Sequence, residues 1–306
     1  MTKTMGLPLK GTWNYRSITK ARPRLGRREQ KERITKLCKS VSALILSVIF
    51  GFPFIWMFFG SFKSNNEIFH TPGRLLPQNM DISLWIQAAV ALPIYSFLLN
   101  SFMVALVGTL LLMVFATLFV YALVFLRNKW TDGLFALVLA TYMLPAAITY
   151  IPSFVILVNL GLHDSLAGLV LSCLPHVFTI FYFRQNFKKI SPEYMEAAKM
   201  DGAGHLSMIR HIVLPMSKSA YYAAGLLYFV YMYNNYMWPT IILRSSDNFL
   251  ISQGLNRFFI TEGAYGMNWS EIMMANTIAV APLLIALVIA HKHFVTGIAG
   301  DSGLKG

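Results

Sequence analysis

The side chains best suited to chemistry are few in this sequence, and their spacing argues against most reactions. Cys38 and Cys173 have no metal-ligand spacing around them and read as structural. His291 and His293 flank Lys292 without a third ligand nearby. No Gly-Lys-Ser or Gly-Lys-Thr occurs, so the chain has no recognisable means of hydrolysing ATP. Gly-x-Ser-x-Gly and His-Glu-x-x-His are missing too, and no enzyme activity, metal or bound cofactor is expected. What remains is recognition, concentrated in the polar stretch Arg184–Lys218. Ser191 suits a helix N-cap, Pro192 the first turn and Glu193 the positive end of the helix dipole. Residues 193–200 then read as a short helix presenting Ala197 and Ala198, with Gly202 placed to end it. A second amphipathic stretch, His205–Val213, leads to Leu214 and Pro215, where the chain turns. Small outward side chains let a partner's backbone come close. The same helix would equally lie among lipid headgroups.

The elements that hold this stretch are apolar runs. The chain has 306 residues, 56% of them apolar and 13% charged. Ordinary globular domains carry about 25% charged residues, so the uncovered surface is expected to face lipid. Six runs are long enough to cross a bilayer at about 20 residues each: Val41–Gly60, Ser96–Leu126, Leu134–Val158, Leu166–Phe183, Ser219–Leu243 and Ile272–His291. The expected fold is all-α and polytopic. Residues 1–40 form a basic tail, 41–95 the first membrane helix and an outer segment, 96–293 a core with the loop 184–217, and 294–306 a second tail.

Charge sets the orientation. Twelve of the 26 lysines and arginines lie in the first 40 residues, which places that tail in the cytoplasm. Alternating sides from there leaves only Lys63, Arg74, Arg244 and Arg257 outside, and puts both termini and the loop 184–217 inside. The net charge of +13 is then topological and suits anionic lipid rather than nucleic acid. The first span reads as a retained anchor, not a cleaved signal.

The six spans contain no Asp, Glu, Lys or Arg. Ion-coupled carriers keep such groups at depth, so uphill transport would need energy from elsewhere, and a neutral, hydroxyl-rich solute fits the path. Tyr228, Tyr231, Asn235 and Trp238, with Asn234 beside them, would share one face of the fifth span and could meet such a solute. They could also form a helix seam ending in an aromatic belt. The outer loop with Glu262, Tyr265 and Trp269 reads as a flexible, glycine-spaced segment that either meets a docked binding protein or packs on its own bundle.

Glu196-Ala197-Ala198, Asp201-Gly202-Ala203 and Ile212-Val213-Leu214-Pro215 together resemble the EAA loop of binding-protein-dependent ATP-binding-cassette importers. The resemblance extends to Asn100-Ser101, Tyr121-Ala122, Met143-Leu144-Pro145, Ile151-Pro152, Gly161-Leu162, Trp238-Pro239 and the tail from His293, and is closest to the carbohydrate-uptake branch. Where that family has Trp-Asn-Glu-Phe, this chain has Tyr233-Asn234-Asn235-Tyr236. The resemblance implies a type I importer permease fold in a bacterial or archaeal cytoplasmic membrane. It implies that Glu196, Ala197, Ala198, Asp201, Gly202, Ala203, Leu214 and Pro215 couple to ATPase subunits. The partners it implies are a second permease, two ATPase subunits that carry ATP and Mg, and an extracytoplasmic solute-binding protein. The favoured cargo is a sugar or polyol. Glycerol phosphate in the same machine, an ion-coupled carrier and a membrane scaffold are the alternatives.

Overall fold

A computed structural model of the chain describes residues 27–71, 73–80, 82–83, 85–86, 93–126, 128–263 and 269–301. The chain divides into two units, residues 1–53 and 54–306. The described part of the first unit is helix α1 (Arg27–Gly60) as far as Pro53, and the rest of α1 belongs to the second. Charged residues end at Lys39, and from Val41 the helix is uncharged.

The second unit continues through α2 (Asn65–His70), α3 (Ile94–Phe125), α4 (Thr131–Tyr142), α5 (Ala146–Asn159), α6 (Leu166–Cys173) and α7 (Val177–Phe187). Then come α8 (Pro192–Met200), α9 (His205–Met208), α10 (Lys218–Tyr233), α11 (Met237–Ile242), α12 (Ile251–Gly263) and α13 (Trp269–Asp301). The described residues contain no strand.

Helix α3 is the hub. It packs most extensively on α10, and also on α7, α6 and α12. Lipid offers little hydrophobic gain for helix association, so close approach of backbones must supply it. Ser101, Ala105, Gly108 and Ala116 provide that approach along one stripe of α3, and Met232 and Tyr228 of α10 pack over Gly108. On the other side, Leu110, Val114, Phe115 and Leu118 are exposed.

Among the described residues, three unbroken helical segments are long and apolar enough to cross a membrane: Lys31–Gly60, Ile94–Phe125 and Trp269–Ile289. The expected third and fourth spans are each broken. Helices α4 and α5 meet at 105°, and α6 and α7 at 46°. Pro145 and Pro175 explain both breaks, because proline donates no hydrogen bond and pushes its predecessor out of the helical region. The expected fifth span differs as well. Helix α10 has 16 residues, about 24 Å at 1.5 Å per residue, and Asn234–Tyr236 separate it from α11. By length and composition the described residues hold three such spans, or up to five where each bent pair counts as one, against the six expected.

Candidate functional site

The stretch between α7 and α10 folds by local rules. Ser191 is extended (ψ 134°), and its hydroxyl accepts the Glu193 N–H, with Pro192 opening α8. At the other end Gly202 takes φ +77°, a left-handed conformation that favours glycine. Its N–H bonds the Lys199 carbonyl at 3.0 Å, and the Ala203 N–H bonds the Ala198 carbonyl at 2.9 Å. This pair of bonds is a Schellman stop, which satisfies the last carbonyls of the helix.

Helix α8 turns Met195 into the bundle, where it is buried. Glu196, Ala197, Asp201 and Gly202 are exposed, as are Tyr194 and Met200. Ala198 departs from the expected outward pair. It is half-buried against the core, as is Ala203, because the Met195 side of the helix must also cover apolar surface. The outward face is thus Ala197 ringed by larger side chains, with Met200 at 88% exposure.

The expected turn at Leu214–Pro215 is instead a continuous helical run. Residues Ile209–Val213 form a π turn, with the Leu214 N–H on the Ile209 carbonyl. Pro215 has no N–H to give and would crowd the carbonyl four residues back, and the wider turn accommodates both effects. Leu214 and Pro215 are exposed. The Tyr121 hydroxyl at the end of α3 lies 3.0 Å from Nδ1 of His205, fastening this run to the hub.

The aromatic face on α10 is divided by the break at Asn234. Tyr228 is fully buried, and its hydroxyl donates to the Cys173 carbonyl at 2.8 Å. Trp238 is buried, with Nε1 donating to the Ser172 hydroxyl at 2.8 Å and its ring stacked on Tyr150. Both therefore hold the end of α6, where Pro175 interrupts the helix. Tyr231 and Asn234 are exposed, Asn235 is half-buried, and the His176 ring sits 5.2 Å from that of Tyr231.

At the opposite end of the bundle from α8 lies a cluster whose central residue sequence reasoning missed. Asp164 accepts from the Arg244 N–H at 2.8 Å, the Ser245 N–H at 3.0 Å and the Ser245 hydroxyl. The Ser245 hydroxyl contributes most, then the Arg244 and Ser245 amides, in holding the Asp164 carboxyl well below the usual carboxylate range. Asn248 donates to the Asp164 carbonyl at 2.7 Å. Asn100 of α3 donates to the carbonyls of Asp247 (2.7 Å) and Phe249 (3.1 Å). The only local hint was an aspartate between Gly161, which ends α5, and Ser165, which caps α6.

Where a flexible loop was expected after Arg244, α12 runs from Ile251 to Gly263, with Gly254 set directly against the Phe97 ring. Glu262 lies on this helix, its side chain outside the described residues, and Tyr265 lies outside them altogether. Trp269 is half-buried at the start of α13.

Residues 120–300 match the family described as the inner membrane component of binding-protein-dependent transport systems. The chain belongs to this family. As a transport permease component it is similar to the sn-glycerol-3-phosphate transport system permease protein UgpE of Agrobacterium fabrum, at 31% identity over 263 residues, covering 83% of this chain and 93% of that one. It is also similar to the lactose transport system permease protein LacG of Rhizobium radiobacter, at 32% identity over 253 residues, covering 82% and 90%. Its fold matches a chain of a bacterial ABC transporter involved in the import of the acidic polysaccharide alginate, with a TM-score of 0.74 over 89% of this permease component and 99% of that chain, at 24% identity.

Proposed function

We propose that this permease component pairs with a second permease to form the path for a sugar or related polyol, and that α8 couples that path to ATPase subunits. The carrying observation is α8 itself: a helix capped at both ends by its own sequence, exposing Ala197 within a larger-residue rim, and anchored by Met195 inward. A helix pre-organised in this way can transmit a push without first folding. In this reading ATP closes two ATPase subunits, α8 moves with them, and the His205–Met216 run carries the motion through Tyr121 to α3. The loop 184–217 and both termini lie in the cytoplasm, as the lysine and arginine distribution supports. An extracytoplasmic solute-binding protein delivers cargo at the opposite face, near the Asp164 cluster and the segment containing Glu262, Tyr265 and Trp269.

Tyr231, Asn234 and Asn235 line the path, while Tyr228 and Trp238 support it from behind. An aromatic face with amides suits sugar rings, which offer C–H faces to stack and hydroxyls to bond. The name of the relative UgpE favours glycerol 3-phosphate as a second cargo. Proteoliposomes carrying this chain with its copurifying subunits test both, using labelled lactose and labelled glycerol 3-phosphate. ATP-dependent sugar uptake that withstands an uncoupler supports the reading. Uptake that needs an ion gradient and no ATP refutes it.

A further inference from the structure

A cleft of about 330 Å³ opens between the end of α3, the end of α7 and the inner side of α8. Its polar wall carries Arg184, Lys188 and Lys199 against one acid, Glu196, and Phe125 and Phe187 contribute to its apolar wall. Those two rings stack at 6.4 Å. Lys188, Lys199 and Glu196 are exposed.

Arg184 is different. It is 9% exposed, its Nη2 donates to Asp132 at 3.0 Å, and its guanidinium lies 3.8 Å from the centre of the Phe135 ring. Its Nε is buried and makes no hydrogen bond. A buried donor left unpaired is unfavourable and calls for an acceptor. An arginine and two lysines lining one cleft suit the charge of a phosphate group.

We propose that this cleft binds the phosphate of an acidic phospholipid headgroup, with the acyl chains running down the apolar side by Phe125. The lipid source is favoured over free phosphate by position. The cleft sits where the apolar helix α3 ends, so it opens at a bilayer surface, and its wall is apolar on the side facing that helix. Basic pockets at the ends of membrane helices hold anionic headgroups in this way. The site requires only that this end of the bundle lie at a membrane surface, and it is independent of whether α8 docks an ATPase.

The test uses the full-length chain with its copurifying subunits in nanodiscs of equal phosphatidylcholine and phosphatidylglycerol. Lipid released from the delipidated complex is counted by mass spectrometry. Phosphatidylglycerol is expected to be retained well above its bulk share. Lys188→Ala with Lys199→Ala, both exposed and neither a partner in the Arg184–Asp132 ion pair, lowers the ratio of retained phosphatidylglycerol to phosphatidylcholine roughly tenfold. Equal retention by wild type and double variant overturns the proposal, as does a wild type with no preference between the lipids. Excess inorganic phosphate that strips the retained lipid as completely as the double substitution assigns the site to free phosphate and overturns the lipid source. Because the readout is lipid and not uptake, failure here leaves the transport reading standing, and the reverse also holds.

Discussion

The phenol of Tyr121 and the imidazole of His205 meet at 3.0 Å, joining the hub helix to the run that follows the exposed helix Pro192–Met200. Tyr121 is buried and His205 exposed, so the contact spans the boundary between bundle and surface. It is a direct polar link between α3 and the segment that would receive force.

Tyr121→Phe keeps the ring against Phe125 and removes only the hydroxyl. One such hydrogen bond contributes about 1 kcal/mol. Membrane abundance should be unchanged, and ATP-dependent uptake should fall several-fold. Uptake assays beside a quantitative blot check this, and wild-type uptake would show that force takes another route.

Gly202 sits at φ +77° with open space around it, so backbone conformation rather than crowding restricts it. A β-branched residue there costs about 1–2 kcal/mol and loosens the stop of α8. Gly202→Val should remain in the membrane, lose most transport and copurify less ATPase, while Gly202→Asn retains more of both. Equal behaviour of the two variants would separate the conformation from the function.

The local features of this stretch were legible because each rule acts over a few residues: Ser191 caps, Pro192 opens and Gly202 closes. The breaks at Pro145 and Pro175 were visible as prolines, yet their angles depend on what packs around them. The end of α10 at Tyr233 carries no proline and could not be read. Nor could the inward turn of Ala198, which follows from Met195 seeking the core. The π turn before Pro215 answers a conflict that a periodicity count does not see. The Asp164 cluster joins segments about 80 residues apart in sequence, and only the folded chain brings them together.

Asp164 offers a pH test. Its folded carboxyl is depressed by the Ser245 hydroxyl and two backbone amides. Its stabilisation is therefore fully present above the ordinary carboxylate range, near pH 4, and is lost only as pH falls below that towards the lower folded value. The cluster should hold through mildly acidic conditions. Asp164→Asn removes the charge at every pH and should increase protease access to the segment Arg244–Asn248 at neutral pH. Limited proteolysis checks this, and an unchanged cleavage pattern would contradict it.

Tyr228 and Tyr231 should separate in their effects. Tyr228→Phe leaves the Cys173 carbonyl without its partner hydroxyl, a loss of about 1–3 kcal/mol that should lower abundance and thermal stability. Tyr231→Ala removes an exposed ring and should raise the KM for solute with little change in abundance. A KM unaffected by the loss of Tyr231 would place the path elsewhere.

Contact between α8 and an ATPase subunit is the most direct test. In a chain with Cys38→Ser, a cysteine introduced at the exposed Ala197 should be joined to the copurifying ATPase by a bifunctional reagent with a disulfide in its spacer, and the link should halt ATP-dependent uptake until that disulfide is reduced. A cysteine replacing half-buried Ala198 should cross-link far less. No adduct at either position, or labelling of the Ala197 site only by reagents confined to the outside of the cell, would contradict the account.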